Sequence, residues 1–285
     1  MFAFLNAIIM KNLLLLLLTI IGLTGCKNNS KTAVTDSATD DTMSVKSAGL
    51  IRKFKPIIQG VWVKADYVNK VIQSKSPLAA ADLATWITVM YINTDSLKGD
   101  SLLVHAGCGN HEGCDVMIKF QPGKTKNSIL FNGKDLTYSV ENGDFVLWVP
   151  QYNERKKRYF KTKYIKILKK QPKTDIGFGL YRYLNKKLIA GNYDLIESVG
   201  KINNIYFSED GKITGLADLK NYTINIDLNI GPNDNLDEIY FDDAAGKSFT
   251  FKIIADTLKL YNTRENSDST ELIIDNLKYT LVRKK

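Results

Sequence analysis

His105, Cys108, His111 and Cys114 recur at every third position, and the chain has no other histidine. Two imidazoles and two thiolates form a ligand set for a tetrahedral zinc or copper ion. The same cysteines can instead pair across Gly107-Cys108-Gly109-Asn110-His111-Glu112-Gly113-Cys114, whose three inner and flanking glycines suit a short closed loop. A redox-active pair would more often show the tighter Cys-x-x-Cys spacing. Whether thiolates or a disulfide stand here depends on the compartment.

Ser101 lies in Gly99-Asp100-Ser101-Leu102. This block is similar to the opening of GDSL-type esterases, and the resemblance implies Ser101 as a nucleophile. That chemistry needs a histidine base, which the family carries in an Asp-x-x-His near the carboxyl end, and no histidine follows His111. The chain also lacks a His-Glu-x-x-His zinc helix, a Gly-x-x-x-x-Gly-Lys phosphate loop and a dinucleotide fingerprint. Asp242-Asp243 falls in an expected turn, where solvation accounts for it. No catalytic constellation emerges, so the chain is expected to be no enzyme and to need no cofactor.

The compartment is written at the amino end. An apolar run from Leu13 to Leu23 follows Lys11 and closes on Leu23-Thr24-Gly25-Cys26, in the three-part layout of a secretory signal. Its eleven residues fall short of the roughly 20 needed to span a bilayer. The closing stretch resembles the lipobox of bacterial lipoproteins, which implies cleavage after residue 25, diacylglycerol on the Cys26 sulfur and a further acyl chain on the new amino terminus. Lys27-Asn28-Asn29 offers no Asp beside the cysteine, so delivery to the outer membrane is expected, facing periplasm or exterior. With Cys26 given to lipid, Cys108 and Cys114 remain, and an oxidising envelope favours a disulfide between them. His105 and His111 are then incidental, and a metal would be the lesser alternative.

Removing residues 1–25 leaves 38 Lys and Arg against 30 Asp and Glu, a mature charge of +8. Much of the excess lies between Arg155 and Lys170. Such a face attracts acidic glycans, lipopolysaccharide phosphates or anionic headgroups, although a solvated strand face gives the same pattern. Nucleic acid is excluded as a partner by the compartment.

The elements that must position these residues are strands. Residues 26–53 are polar and without periodicity, and read as a flexible stalk. From Phe54 onward, short alternating apolar runs end in Gly, Asn or Asp, with hairpin signals at Asn132-Gly133 and Asn142-Gly143. One exception follows the first strand: Tyr67, Val68, Val71 and Ile72 are spaced for a short helix over Ala65 to Gln73. Each half yields about eight strands, which suits a closed antiparallel barrel. The expected division is residues 54–170, a linker at 171–185 where Tyr181 and Tyr183 could plug a barrel or pack between domains, and residues 186–285.

Gly60-Val61-Trp62 opens the first strand set and Gly191-Asn192-Tyr193 the second. The first resembles the Gly-x-Trp signature of lipocalins, in which the tryptophan packs across the closed bottom of an eight-stranded barrel; the second is similar, with tyrosine in its place. The resemblance implies an all-β fold of two tandem antiparallel eight-stranded lipocalin-like barrels. In an unfilled barrel, Trp86, Met90, Tyr91, Phe131, Tyr138, Phe145 and Trp148 would line a site for a small apolar or amphipathic ligand; in a filled one they are core. The expected function is thus a lipid-anchored binding protein, the alternative an interaction lipoprotein that contacts glycan, lipid or protein through its basic face. Asp36-Ser37-Ala38, Asp41-Thr42-Met43, Asp95-Ser96-Leu97 and Asp256-Thr257-Leu258 resemble acceptor triplets of a bacterial O-glycosylation system.

Overall fold

The computed structural model describes residues 45–153, 156–172, 175–196, 203–216, 219–228, 234–242 and 247–285. Cys26 and the triplets at Asp36 and Asp41 lie outside the described residues. Both sheets of the protein belong to one compact unit.

The chain enters through helix α1, Val45–Ile58. Leu50, Phe54, Ile57 and Ile58 share one face at helical spacing, and the last three are buried in the core of the first sheet. Residues 45–53, expected within the flexible stalk, are instead helical, because the apolar face of α1 has a barrel end to cover. Strands β1 (Gly60–Lys64), β2 (Ile87–Ile92), β3 (Ser101–Cys108), β4 (Glu112–Lys119), β5 (Ser128–Phe131), β6 (Lys134–Glu141), β7 (Asp144–Asn153) and β8 (Arg158–Leu168) follow as an antiparallel meander. Pairing of β1 with β8 closes them into a barrel. The expected helix after the first strand is present as α2, Ala65–Ser74.

Helix α3, Phe178–Leu188, occupies most of the expected linker. It leads into β9 (Gly191–Leu195), β10 (Asn203–Phe207), β11 (Ile213–Thr214), β12 (Tyr222–Ile224), β13 (Glu238–Phe241), β14 (Ser248–Ile254), β15 (Thr257–Glu265) and β16 (Leu272–Arg283). The second set is an eight-stranded antiparallel sheet in the order β11-β10-β9-β16-β15-β14-β13-β12, and it is open, where a second closed barrel was expected. Its edge strands are too short to form a ladder with each other. They meet at the isolated bridge Lys212↔Asn221 and two hydrogen bonds, Ile213 N–H to Lys220 O at 2.8 Å and Tyr222 N–H to Gly211 O at 2.7 Å.

Two cores divide the apolar residues. The barrel interior holds Trp62, Met90, Leu102, Val104, Ile118, Phe131, Leu147 and Tyr164 with the plug residues of α1. The second core takes the outward side of β1 and β2 (Val61, Val63, Val89), Tyr67, Val68 and Val71 of α2, Leu180, Leu184 and Leu188 of α3, and the inner face of the open sheet. Alternation along β1 thus feeds both cores, which explains why all five of its residues are buried.

The two halves repeat one device. Gly60 and Gly191 have φ of 131° and 149°, a backbone that glycine alone adopts freely, and each starts the first strand of its sheet after a helix. Two residues on, an aromatic side chain returns to the preceding helix end: Trp62 Nε1–H donates to Ile58 O at 2.7 Å, and Tyr193 O–H to Ile189 O at 2.6 Å. A cation from the last strand covers each ring. Lys166 Nζ lies 4.9 Å from the Trp62 centroid, and the Arg283 guanidinium carbon 5.2 Å from that of Tyr193.

Candidate functional site

The barrel interior is occupied by protein. Of the residues expected to line a ligand space, Met90 and Phe131 point inward and are fully buried in the interior core. Tyr138 packs at the plug end, edge-on to Phe54 at 5.4 Å and to Phe145 at 5.8 Å. Tyr91 points away from the interior and packs against the second core. Trp148 is on the outer wall, and its Nε1–H donates to Ser139 Oγ at 3.0 Å. Trp86 stands at the end opposite the plug, edge-on to Phe131 at 6.1 Å and 36 % exposed. Its φ of 60° is costly for a bulky side chain, and Gly109 N–H to Trp86 O at 2.7 Å helps hold it.

That end is closed by polar groups. Lys64 follows Trp62 in the inward phase of β1 and is only 4 % exposed. Its ammonium donates to Leu83 O at 2.8 Å, Thr85 O at 3.3 Å and Thr85 Oγ1 at 3.3 Å. Burial lowers its pKa, against the opposing fields of Asp66 and Asp82. Thr162 O–H donates to Gln151 Oε1 at 2.6 Å, and Tyr164 O–H to Ile87 O at 2.5 Å. These bonds satisfy the mouth internally and tie the segment after α2 across it.

The four metal-spaced residues diverge. Cys108 and Cys114 form a disulfide between β3 and β4, with Cα atoms 6.0 Å apart. His105 projects from the outer side of β3 and pairs with Asp115, its cross-strand neighbour. His111, on the loop itself, reaches Asp227 at 2.9 Å, while Asn110 Nδ2–H donates to Ile226 O at 3.2 Å. The loop therefore docks onto the chain that follows β12. Among the described residues no group of three or more His, Cys, Asp or Glu is placed to hold a metal ion. Ser101 Oγ–H donates to Asp100 at 2.9 Å.

The outer wall of β6, β7 and β8 gathers the remaining chemistry. Alternation sends Leu147, Val149 and Gln151 inward and Trp148, Pro150 and Tyr152 outward. On β8, Lys161 and Lys163 face out beside them, opposite Pro150 and Trp148. Lys163 is paired with Glu141, whereas Lys161 Nζ donates to Thr137 Oγ1 at 3.2 Å. Tyr152 and Tyr159 pack side by side with centroids 5.0 Å apart and planes tilted by 54°, both exposed. The basic run is thus split by strand phase. Lys166 turns inward to Trp62, and burial lowers its pKa, with Lys169 adding to the effect.

Sequence reasoning missed Lys64, Lys166 and Arg283. The first two share the inward phase of Trp62 and Tyr164, and a lysine in phase with core residues is the signal that would have marked them. No helix among the described residues is long and apolar enough to cross a membrane. No protein-family model, no curated protein and no solved structure matches this chain.

Proposed function

We propose that this chain is a non-enzymatic envelope protein, anchored to the outer membrane through lipid on Cys26, that engages anionic envelope polymer through the outer wall of β6 to β8. Its two halves read as tandem lipocalin-like units, of which the second stays open. The repeated Gly-x-aromatic device, each copy with its helix and covering cation, supports that kinship.

The observation that carries the functional reading is the filled barrel. Side chains from all eight strands occupy the interior and α1 covers one end. A small apolar ligand would have to displace that core at several kcal/mol per large side chain. The outer wall, by contrast, presents lysine and aromatic groups already facing solvent.

Native mass spectrometry of the full chain, before and after delipidation, tests the reading. The expected result is a diacylglycerol adduct on Cys26 and no apolar ligand released on denaturation. An unmodified Cys26, or one small apolar molecule per chain, would overturn it.

A further inference from the structure

On that reading of the outer wall, we infer a defined subsite for an anionic saccharide ring in the groove between the β5–β6 turn and the β7–β8 hairpin. The groove has a volume of about 470 Å³, and its apolar surface comes from Pro122, Leu130, Pro150, Tyr159 and Phe160. Lys124, Lys134 and Lys161 stand along it. None of the three has a carboxylate within ion-pair distance among the described residues.

Three features set this groove apart from a merely basic surface. Lys134 Nζ sits 4.6 Å from the Tyr159 centroid, so a cation and a flat apolar face are already registered on one another. Tyr159 packs beside its cross-strand neighbour Tyr152, with centroids 5.0 Å apart and planes tilted by 54°, and stays 52 % exposed. The one acidic group lining the groove, Asp135, is consumed by the turn: it accepts from Lys124 N–H and Thr125 N–H, each at 3.0 Å, and from Thr125 Oγ1–H at 3.1 Å. The groove is thus doubly positive by formal charge, with its only carboxylate committed.

A lipid tail would need an enclosed apolar slot, and a bare phosphate would need no aromatic face. A ring with C–H edges and a carboxylate or phosphate uses both halves of the site. Such a ring occurs in free acidic polysaccharide and in lipid-linked saccharide, and the test separates these sources.

Binding of the full chain to polygalacturonate is measured alongside neutral dextran, phosphatidylglycerol vesicles and vesicles carrying lipopolysaccharide. The expected result is salt-sensitive binding of polygalacturonate, about tenfold weaker in Tyr159→Ala and in Lys134→Gln/Lys161→Gln and restored in Tyr159→Phe. Lys156→Gln/Lys170→Gln, outside the groove, should leave it unchanged. Equal loss in both lysine pairs with no effect of Tyr159→Ala would overturn the subsite and leave the broader basic-face reading standing. Preference for sugar-free vesicles would overturn the saccharide assignment, whereas binding to lipopolysaccharide vesicles through the same groove residues assigns the lipid-linked source. Absence of binding to every anionic probe would remove both readings.

Discussion

Lys166 Nζ lies 4.9 Å from the ring centroid of Trp62 and donates to Ile57 O at 2.7 Å, so one inward lysine joins the last strand, the first strand and the plug helix. Arg283 makes the same junction in the second half, through Tyr193 and Leu188 O at 2.7 Å. In each case a strand that closes or completes the sheet is tied to the helix that precedes it.

Trp62→Ala should cost about 3–5 kcal/mol, the range for removing a large buried aromatic side chain. Lys166→Met keeps much of the packing and loses the carbonyl bond and ring contact, which should cost about 1–3 kcal/mol. Denaturant unfolding of both variants and their double mutant measures the coupling. A double mutant equal to the sum of the singles would show that the two residues act independently.

Much of this frame was legible in the chain because turns and alternation are local. The eight strands of the barrel and helix α2 follow from Asn-Gly pairs, period-two runs and the spacing of Tyr67, Val68 and Val71. The openness of the second sheet was not legible, since it depends on how few residues of β11 and β12 find partners. Helix α1 was hidden by the polar segment before it. The site was less legible than the fold: Trp148 and Tyr91 differ from Met90 and Phe131 only by strand phase, which a one-residue shift reverses. Read as one face, the basic run concealed that Lys166 belongs to the interior.

Lys64 should be required to hold the closed mouth of the barrel. Lys64→Ala removes three hydrogen bonds from a buried ammonium, leaving Leu83 O short of a donor and Thr85 O with only the longer bond from Gln151 Nε2–H at 3.4 Å. The expected cost is about 2–4 kcal/mol, with faster amide exchange over residues 78–86. Lys64→Met should recover packing but not protection of that segment. Unchanged exchange in both variants would assign the closure to other contacts.

The docking of the cysteine loop should depend on pH through His111. Its hydrogen bond and ion pair with Asp227 raise the imidazole pKa above the ordinary histidine value, with Glu112 adding to the field. A raised folded-state pKa gives a contribution that is complete below about pH 6.5 and lost as pH rises through the raised value. Amide exchange of residues 109–113 should therefore quicken across that window beyond the intrinsic pH effect. His111→Gln should abolish the additional change, and a persistent one would place the titrating group elsewhere.

Cys108 and Cys114 close a short loop, so their removal should cost only about 2 kcal/mol. In Cys108→Ser/Cys114→Ser the barrel should remain folded while the contacts of Asn110 and His111 with residues 226 and 227 loosen. Thiol titration of the oxidised protein under denaturing conditions should detect neither cysteine before reduction. Two free thiols there would contradict the bridge.

The central claim is that the outer wall of β6 to β8 binds and the barrel interior does not. Hydrogen exchange of the full chain, with and without saturating polygalacturonate, tests it most directly. Added protection is expected within residues 122–163, centred on the hairpins that carry Lys134 and Tyr159, with no change in β2 or β3. Protection spread through β1 to β3 and α1, with the outer hairpins unaffected, would place the ligand inside the barrel and contradict the claim.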